Sequence, residues 1–119
     1  MSFILVPKTG EDVQVNGWNW RATLELLRAE GVIDGETHER MGAQGCGGTA
    51  DADLACRMAS AIEAKLASMK SGDRMLADLS VTAEPKSGDI LAEDVYSSSY
   101  EWLVTFKDFC RCSGGFKVV

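Results

Sequence analysis

The chain opens on an apolar run, Phe3-Ile4-Leu5-Val6, closed by Pro7; Val13 and Val15 then alternate with polar neighbours. Alternation of this kind suits a half-buried strand, because successive side chains point to opposite faces. Residues 2–7 and 11–16 therefore read as two short strands, joined by a turn at Lys8-Thr9-Gly10. The period then changes. Trp20, Leu24 and Leu27 recur at spacings of four and three, with Thr23 a further candidate for that face and Arg21, Glu25 and Arg28 off the stripe, which predicts an amphipathic helix. Asn16 or Asn19 can cap its start, and Gly31 suits a left-handed residue at its end. Val32 and Ile33 then turn back towards the core. A short second helix is expected from the Asp34 cap to Gly42.

The longest helix is expected from Thr49, as its N-cap, to Met69. Its stripe is Leu54, Met58, Ile62, Leu66 and Met69, flanked by Ala55 and Ala59, which permit close approach. Ser71-Gly72-Asp73 breaks it. Residues 74–81 are ambiguous between a helical turn and a strand. Pro85 and Gly88 mark residues 82–96 as a turn-rich loop, expected to be mobile. Ser98 and Glu101 have capping-box spacing at the start of a last helix. Its apolar face is Trp102, Leu103, Phe106, Phe109 and Cys110, and Gly114-Gly115 end it. Phe116 and Val118 alternate with Lys117, which predicts a short edge strand able to join the N-terminal hairpin. The expected fold is a helix-rich single α+β domain over residues 1–119, with three to four helices and a small sheet. Its core is expected from Trp20, Leu24, Leu54, Met58, Ile62, Phe106, Phe109 and Phe116.

Composition narrows the functional classes. A chain of 119 residues that is 45% hydrophobic and 25% charged can build a core without disulfides or metal. Its net charge of -6 disfavours nucleic acid and anionic membrane, which are bound through Lys and Arg. A charged partner is expected to be basic. No apolar run approaches the ~18 residues of a membrane span, and the apolar run at residues 3–6 is too short for a secretory leader. A cytoplasmic protein is expected, with Cys46, Cys56, Cys110 and Cys112 mostly reduced.

Three sets of residues invite a chemical reading. Residues 42–49, Gly-Ala-Gln-Gly-Cys-Gly-Gly-Thr, follow the spacing of a phosphate loop with glycine in place of its lysine. Asp51 and Asp53 just beyond would repel a phosphate, so a glycine-rich connection is the expectation, with no nucleotide. Cys110 and Cys112 with Cys46, Cys56 and His38 invite a zinc reading. C-x-C on a helix, however, turns its sulfurs to opposite sides, so no metal or other cofactor is expected. Cys46 precedes an expected helix start, and His38 is the one histidine in the chain; a thiol nucleophile with an imidazole base is the enzymatic alternative. No catalytic residue is assigned. Trp18 fits no apolar stripe and reads either as a staple at the helix entry or as an exposed interaction anchor.

Residues 16–32 and 49–66, and the ending Phe106-x-x-Phe109-Cys110-Arg111 followed by Gly114-Gly115-Phe116, resemble a group of small bacterial proteins of unknown function. Members combine an early Trp-bearing helix, a T-A-x-D-A helix and a close variant of this ending. Trp20, Leu24, Thr49 and Ala50 match in kind, and the central loop here is richer in glycine and cysteine. The resemblance implies a bacterial or phage-related origin and a compact domain, and it transfers no catalytic residue. The expected function is therefore non-enzymatic binding, as an inhibitor, immunity or accessory protein facing a basic protein, or as the receptor of a small ligand. Trp18, Asp51 and Asp53 form the expected partner-binding patch. The alternative is a thiol-dependent enzyme using Cys46.

Overall fold

In the computed structural model, which describes residues 2–43, 47–83 and 97–119, the described chain is an α+β arrangement of four helices and two antiparallel sheets. β1 (Ser2–Pro7) and β2 (Val13–Asn16) form the expected hairpin, in which Phe3 faces Val15 and Leu5 faces Val13. α1 (Gly17–Ala29) starts at Asn16, whose side chain accepts the Asn19 N–H at 2.8 Å. Gly31 follows its end at φ +72°. α2 (Gly35–Gly42) is capped by Asp34 through the Thr37 N–H at 2.7 Å.

The expected helix start at Thr49 is wrong. Thr49–Asp51 is a strand, β3, and α3 runs over Ala52–Leu66 with Asp51, not Thr49, as N-cap. The cause is pairing across the chain. β7 (Gly115–Val118) offers its free edge, and Thr49, Ala50 and Asp51 meet Lys117, Phe116 and Gly115 there. Gly115 permits this approach: it sits at φ +109°, and a Cβ on it would lie 2.8 Å from the Ala50 carbonyl oxygen. The order of the first sheet is β2-β1-β7-β3. The C-terminal strand does join the hairpin, but inside the sheet and not at its edge.

Residues 74–81 resolve in favour of strands. β4 (Arg74–Leu76) pairs with β5 (Val81–Thr82) and with β6 (Ser97–Ser99). The expected mobile loop lies outside the described residues from position 84 to position 96, and its first residue, Thr82, belongs to β5. α4 (Tyr100–Cys112) is capped by Ser99, which accepts the Trp102 N–H at 3.0 Å. The capping box expected from Ser98 is therefore one residue out of register. Ser98 is fully buried in β6 and bonds elsewhere.

The inner face of the first sheet, with Phe3, Leu5, Val15, Ala50, Phe116 and Val118 buried, packs against the helices. Phe106 stands at the centre. Its ring meets Trp20 edge-on at 5.5 Å, stacks on Trp102 at 5.6 Å and meets Phe116 edge-on at 6.1 Å. Trp20, Leu24, Met58, Ile62, Phe106 and Phe116 are buried as expected, while Leu54 and Phe109 are only partly buried against the same core.

A buried polar network ties α1 to the second sheet and α4. Trp102 Nε1 donates to Thr23 Oγ1 at 2.9 Å; Thr23 and Ser98 share a hydroxyl contact at 2.9 Å; and the Asn19 carbonyl lies 2.8 Å from Thr23 Oγ1 and 2.6 Å from Ser98 Oγ. The two hydroxyls have one proton each for three oxygen–oxygen contacts. The shortest contact assigns the Ser98 proton to Asn19, so the Thr23 proton is shared between Ser98 Oγ and the Asn19 carbonyl.

Candidate functional site

α1 and α2 leave a cleft of about 450 Å³ between them, with Phe3 of β1 contributing to its lining. The volume lies within the ordinary range for small-molecule sites. Two hydrogen bonds fix the helices that form its walls. Trp20 Nε1 donates to the Met41 carbonyl at 2.8 Å, and His38 Nε2 lies 2.8 Å from Glu25 Oε1. Trp20 is fully buried, so the first bond anchors the last turn of α2 to the core. An ionised carboxylate only accepts, so the Glu25 contact puts a hydrogen on His38 Nε2.

The lining divides by chemistry. Phe3, Trp20 and Leu24 are buried and apolar. Trp18, in the first turn of α1, is 55% exposed and lines the same cleft. Arg21 enters from α1; His38 and Glu39 enter from α2. Gly17 and Gly42 add no side-chain bulk. The cleft therefore offers an aromatic face, an apolar floor and side chains of both charge signs.

The expected partner patch does not come together. Trp18 follows Asn16, which pairs with Ser2 at one end of β1; Asp51 pairs with Gly115, which bonds to Lys8 beyond the other end of β1. β2 and β3 are also opposite edges of the sheet. With about 3.3 Å per residue and about 4.8 Å per strand, Trp18 and Asp51 are separated by on the order of 20 Å. The Asp51 carboxylate is occupied in accepting the Leu54 N–H at 2.8 Å. Asp53 is exposed in the first turn of α3, a position that complements the helix dipole.

The glycine-rich stretch does not open a helix. It follows α2 and leads through Gly47 and Gly48 into β3, so the strand–loop–helix context of a phosphate loop is missing. Gly48 has a structural reason: a Cβ there would lie 2.7 Å from Met41 Cγ and 3.0 Å from the Met41 backbone. Cys46 lies outside the described residues. Cys110 is buried and Cys112 exposed, as C-x-C on a helix requires. Burial, and then the neighbouring Cys56, push the Cys110 thiol well above its ordinary range, so the thiol form is favoured in the core.

Sequence reasoning named Trp18 and His38 but missed Arg21, Glu39 and the Glu25 partner of His38. The available signal was the spacing of Arg21 and Glu25, four apart on one face of α1. No family model matches the chain, and neither a curated protein nor a solved structure does. No helix among the described residues is long and apolar enough to cross a membrane.

Proposed function

We propose that this is a non-enzymatic binding protein of the bacterial cytoplasm whose recognition site is the α1–α2 cleft, and that its occupant is a small ligand. The observation that carries the reading is an indole left 55% exposed against a cleft of about 450 Å³ whose walls are already pinned by hydrogen bonds. Exposing a tryptophan forgoes burial worth about 2–3 kcal/mol, and a site built in advance saves a ligand the cost of ordering it.

The other expected occupant, a basic protein met by an inhibitor or immunity protein, draws less support. Asp51 and Asp53 do not adjoin Trp18, and the cleft itself carries Arg21 and His38 as well as Glu39. Half of the net charge of -6 falls in residues 84–96, where Glu84, Asp89, Glu93 and Asp94 outnumber Lys86. The resemblance to small bacterial proteins, carried by residues 16–32, 49–66 and the C-terminal ending, is part of the proposal; in this chain Trp20, Leu24, Phe106, Cys110 and Phe116 among those residues are buried in the core.

A small-molecule library screened by ligand-observed NMR tests the reading. Binders are expected whose signals recover when Trp18→Ala replaces the natural chain. A library whose binders ignore that substitution would remove the cleft as the site. One observation favours a second reading. Glu25 lies 2.8 Å from His38 Nε2 and orients the ring, as a thiol-dependent enzyme using Cys46 with His38 as its base would need. Turnover of a substrate that Cys46→Ser and Glu25→Gln both abolish would establish that reading instead.

A further inference from the structure

We infer that the occupant of the α1–α2 cleft is a flat aromatic molecule and that Gly42 is the specificity-determining residue that admits it; the inference rests on the cleft being the binding site. Gly42 is the last residue of α2 and lines the cleft. The two described glycines that follow it have reasons in the backbone. Gly47 sits at φ +68°, and a Cβ on Gly48 would lie 2.7 Å from Met41 Cγ. Neither reason applies to Gly42. It is not among the glycines held at positive φ, and a Cβ on it would meet Leu24 Cδ1 at 3.6 Å, an ordinary van der Waals distance. Glycine at a helical position costs stability relative to alanine. Packing therefore gives no reason for glycine here, whereas the cleft does. Leu24 is a buried lining residue, so the methyl group of an alanine would stand on the apolar floor.

The remaining lining gives the shape of the molecule. Phe3, Trp20 and Leu24 are buried beneath the cleft, and the exposed Trp18 indole stands beside them. An aromatic ring gains from offset stacking on an indole beyond the apolar area it buries, and a saturated body does not. The hydrogen at Gly42 leaves a ring room to lie flat on the floor, where a methyl group would lift it. The volume of about 450 Å³ has room for more than one ring. His38 is held to Glu25 at 2.8 Å, and Arg21 is engaged within the protein, so the selection is assigned to shape and apolar contact and not to charge.

Two uncharged probes separate shape from apolar area. 2-Naphthol and decahydro-2-naphthol share one carbon skeleton and one hydroxyl; the first is flat and aromatic, the second puckered, with more apolar surface. Each is titrated into the full chain and followed by NMR at the Arg21 and Glu39 amide signals, which every variant retains. 2-Naphthol is expected to bind about fivefold more tightly, although burial of area alone would favour the saturated probe. Trp18→Leu should abolish that preference. Gly42→Ala should weaken 2-naphthol about tenfold without lowering the melting temperature. Equal affinities, or tighter binding of the saturated probe, would overturn the aromatic occupant. Unchanged affinity in Gly42→Ala would overturn the role of Gly42, and a lowered melting temperature would make it a residue of the fold instead. In each of these cases shifts at the two amides would leave the cleft as the site. Failure of both probes to move those signals would overturn the inference, and the library screen then decides the cleft independently.

Discussion

At the scale of single residues, Thr23 shows how much one side chain can hold. Its hydroxyl accepts the Trp102 indole N–H at 2.9 Å and meets Ser98 at 2.9 Å, all within the core. Thr23→Val keeps the shape and removes the oxygen, so the indole donor is left buried without a partner. The expected cost is about 2–3 kcal/mol, measured by urea denaturation. Thr23→Ser keeps the oxygen and should cost about 1 kcal/mol. Equal losses would show that the methyl group matters and the network does not. The sequence could place Thr23 on the inner face of α1 but could not show this network. Thr23 and Ser98 are 75 positions apart, and Glu101 stands at capping-box spacing from Ser98. Ser99, one residue on, was the better cap because β6 had already buried Ser98.

At the scale of elements, periodicity carried most of the information. α1 and α4 each have an apolar face of helical period and a polar cap, α2 has the Asp34 cap, and each lies close to where these place it. β3 was invisible for a physical reason. Three residues cannot display a period, and the pairing that makes them a strand is with residues 115–117, more than sixty positions away. The correction has an energetic consequence. Asp51→Ala should destabilise by about 1 kcal/mol because Asp51 caps α3, whereas Thr49→Ala, at an exposed strand position, should cost less than about 0.5 kcal/mol. The reverse order in thermal denaturation would restore Thr49 as the cap. α2 adds a pH signature. The Thr37 N–H, and then the Thr37 hydroxyl, hold the Asp34 carboxyl below its ordinary range. A lowered folded-state value means stability that is present above the unfolded-state value and lost as pH falls through the lowered one. In an acid titration Asp34→Asn should therefore show a shallower loss of stability than the natural chain, and an identical loss would contradict the assignment.

The whole molecule is organised around Phe106, which three aromatic rings surround. Phe106→Ala should cost about 3–5 kcal/mol, a large fraction of the stability of a domain this size. Phe109 lies at the margin of the same core and touches Phe116 at 5.4 Å. Its truncation should cost about half as much, and equal losses by calorimetry would count against this ordering. The same packing explains why the candidate site was only partly legible. Trp18 stood out because it fitted no stripe, but its neighbours come from three elements, and which helices adjoin is decided by the core. Asp51 and Asp53 attracted attention as clustered charge, and the sheet carries them to the corner opposite Trp18. The central claim is that the α1–α2 cleft is where this protein binds its ligand. The most direct test is a nitrogen–proton NMR map of the chain titrated with a binder from the library. The account predicts shifts concentrated at Gly17, Trp18, Arg21, His38, Glu39 and Gly42. Shifts concentrated instead on the open sheet face around Ile4, Thr49 and Lys117, with those six unmoved, would contradict it.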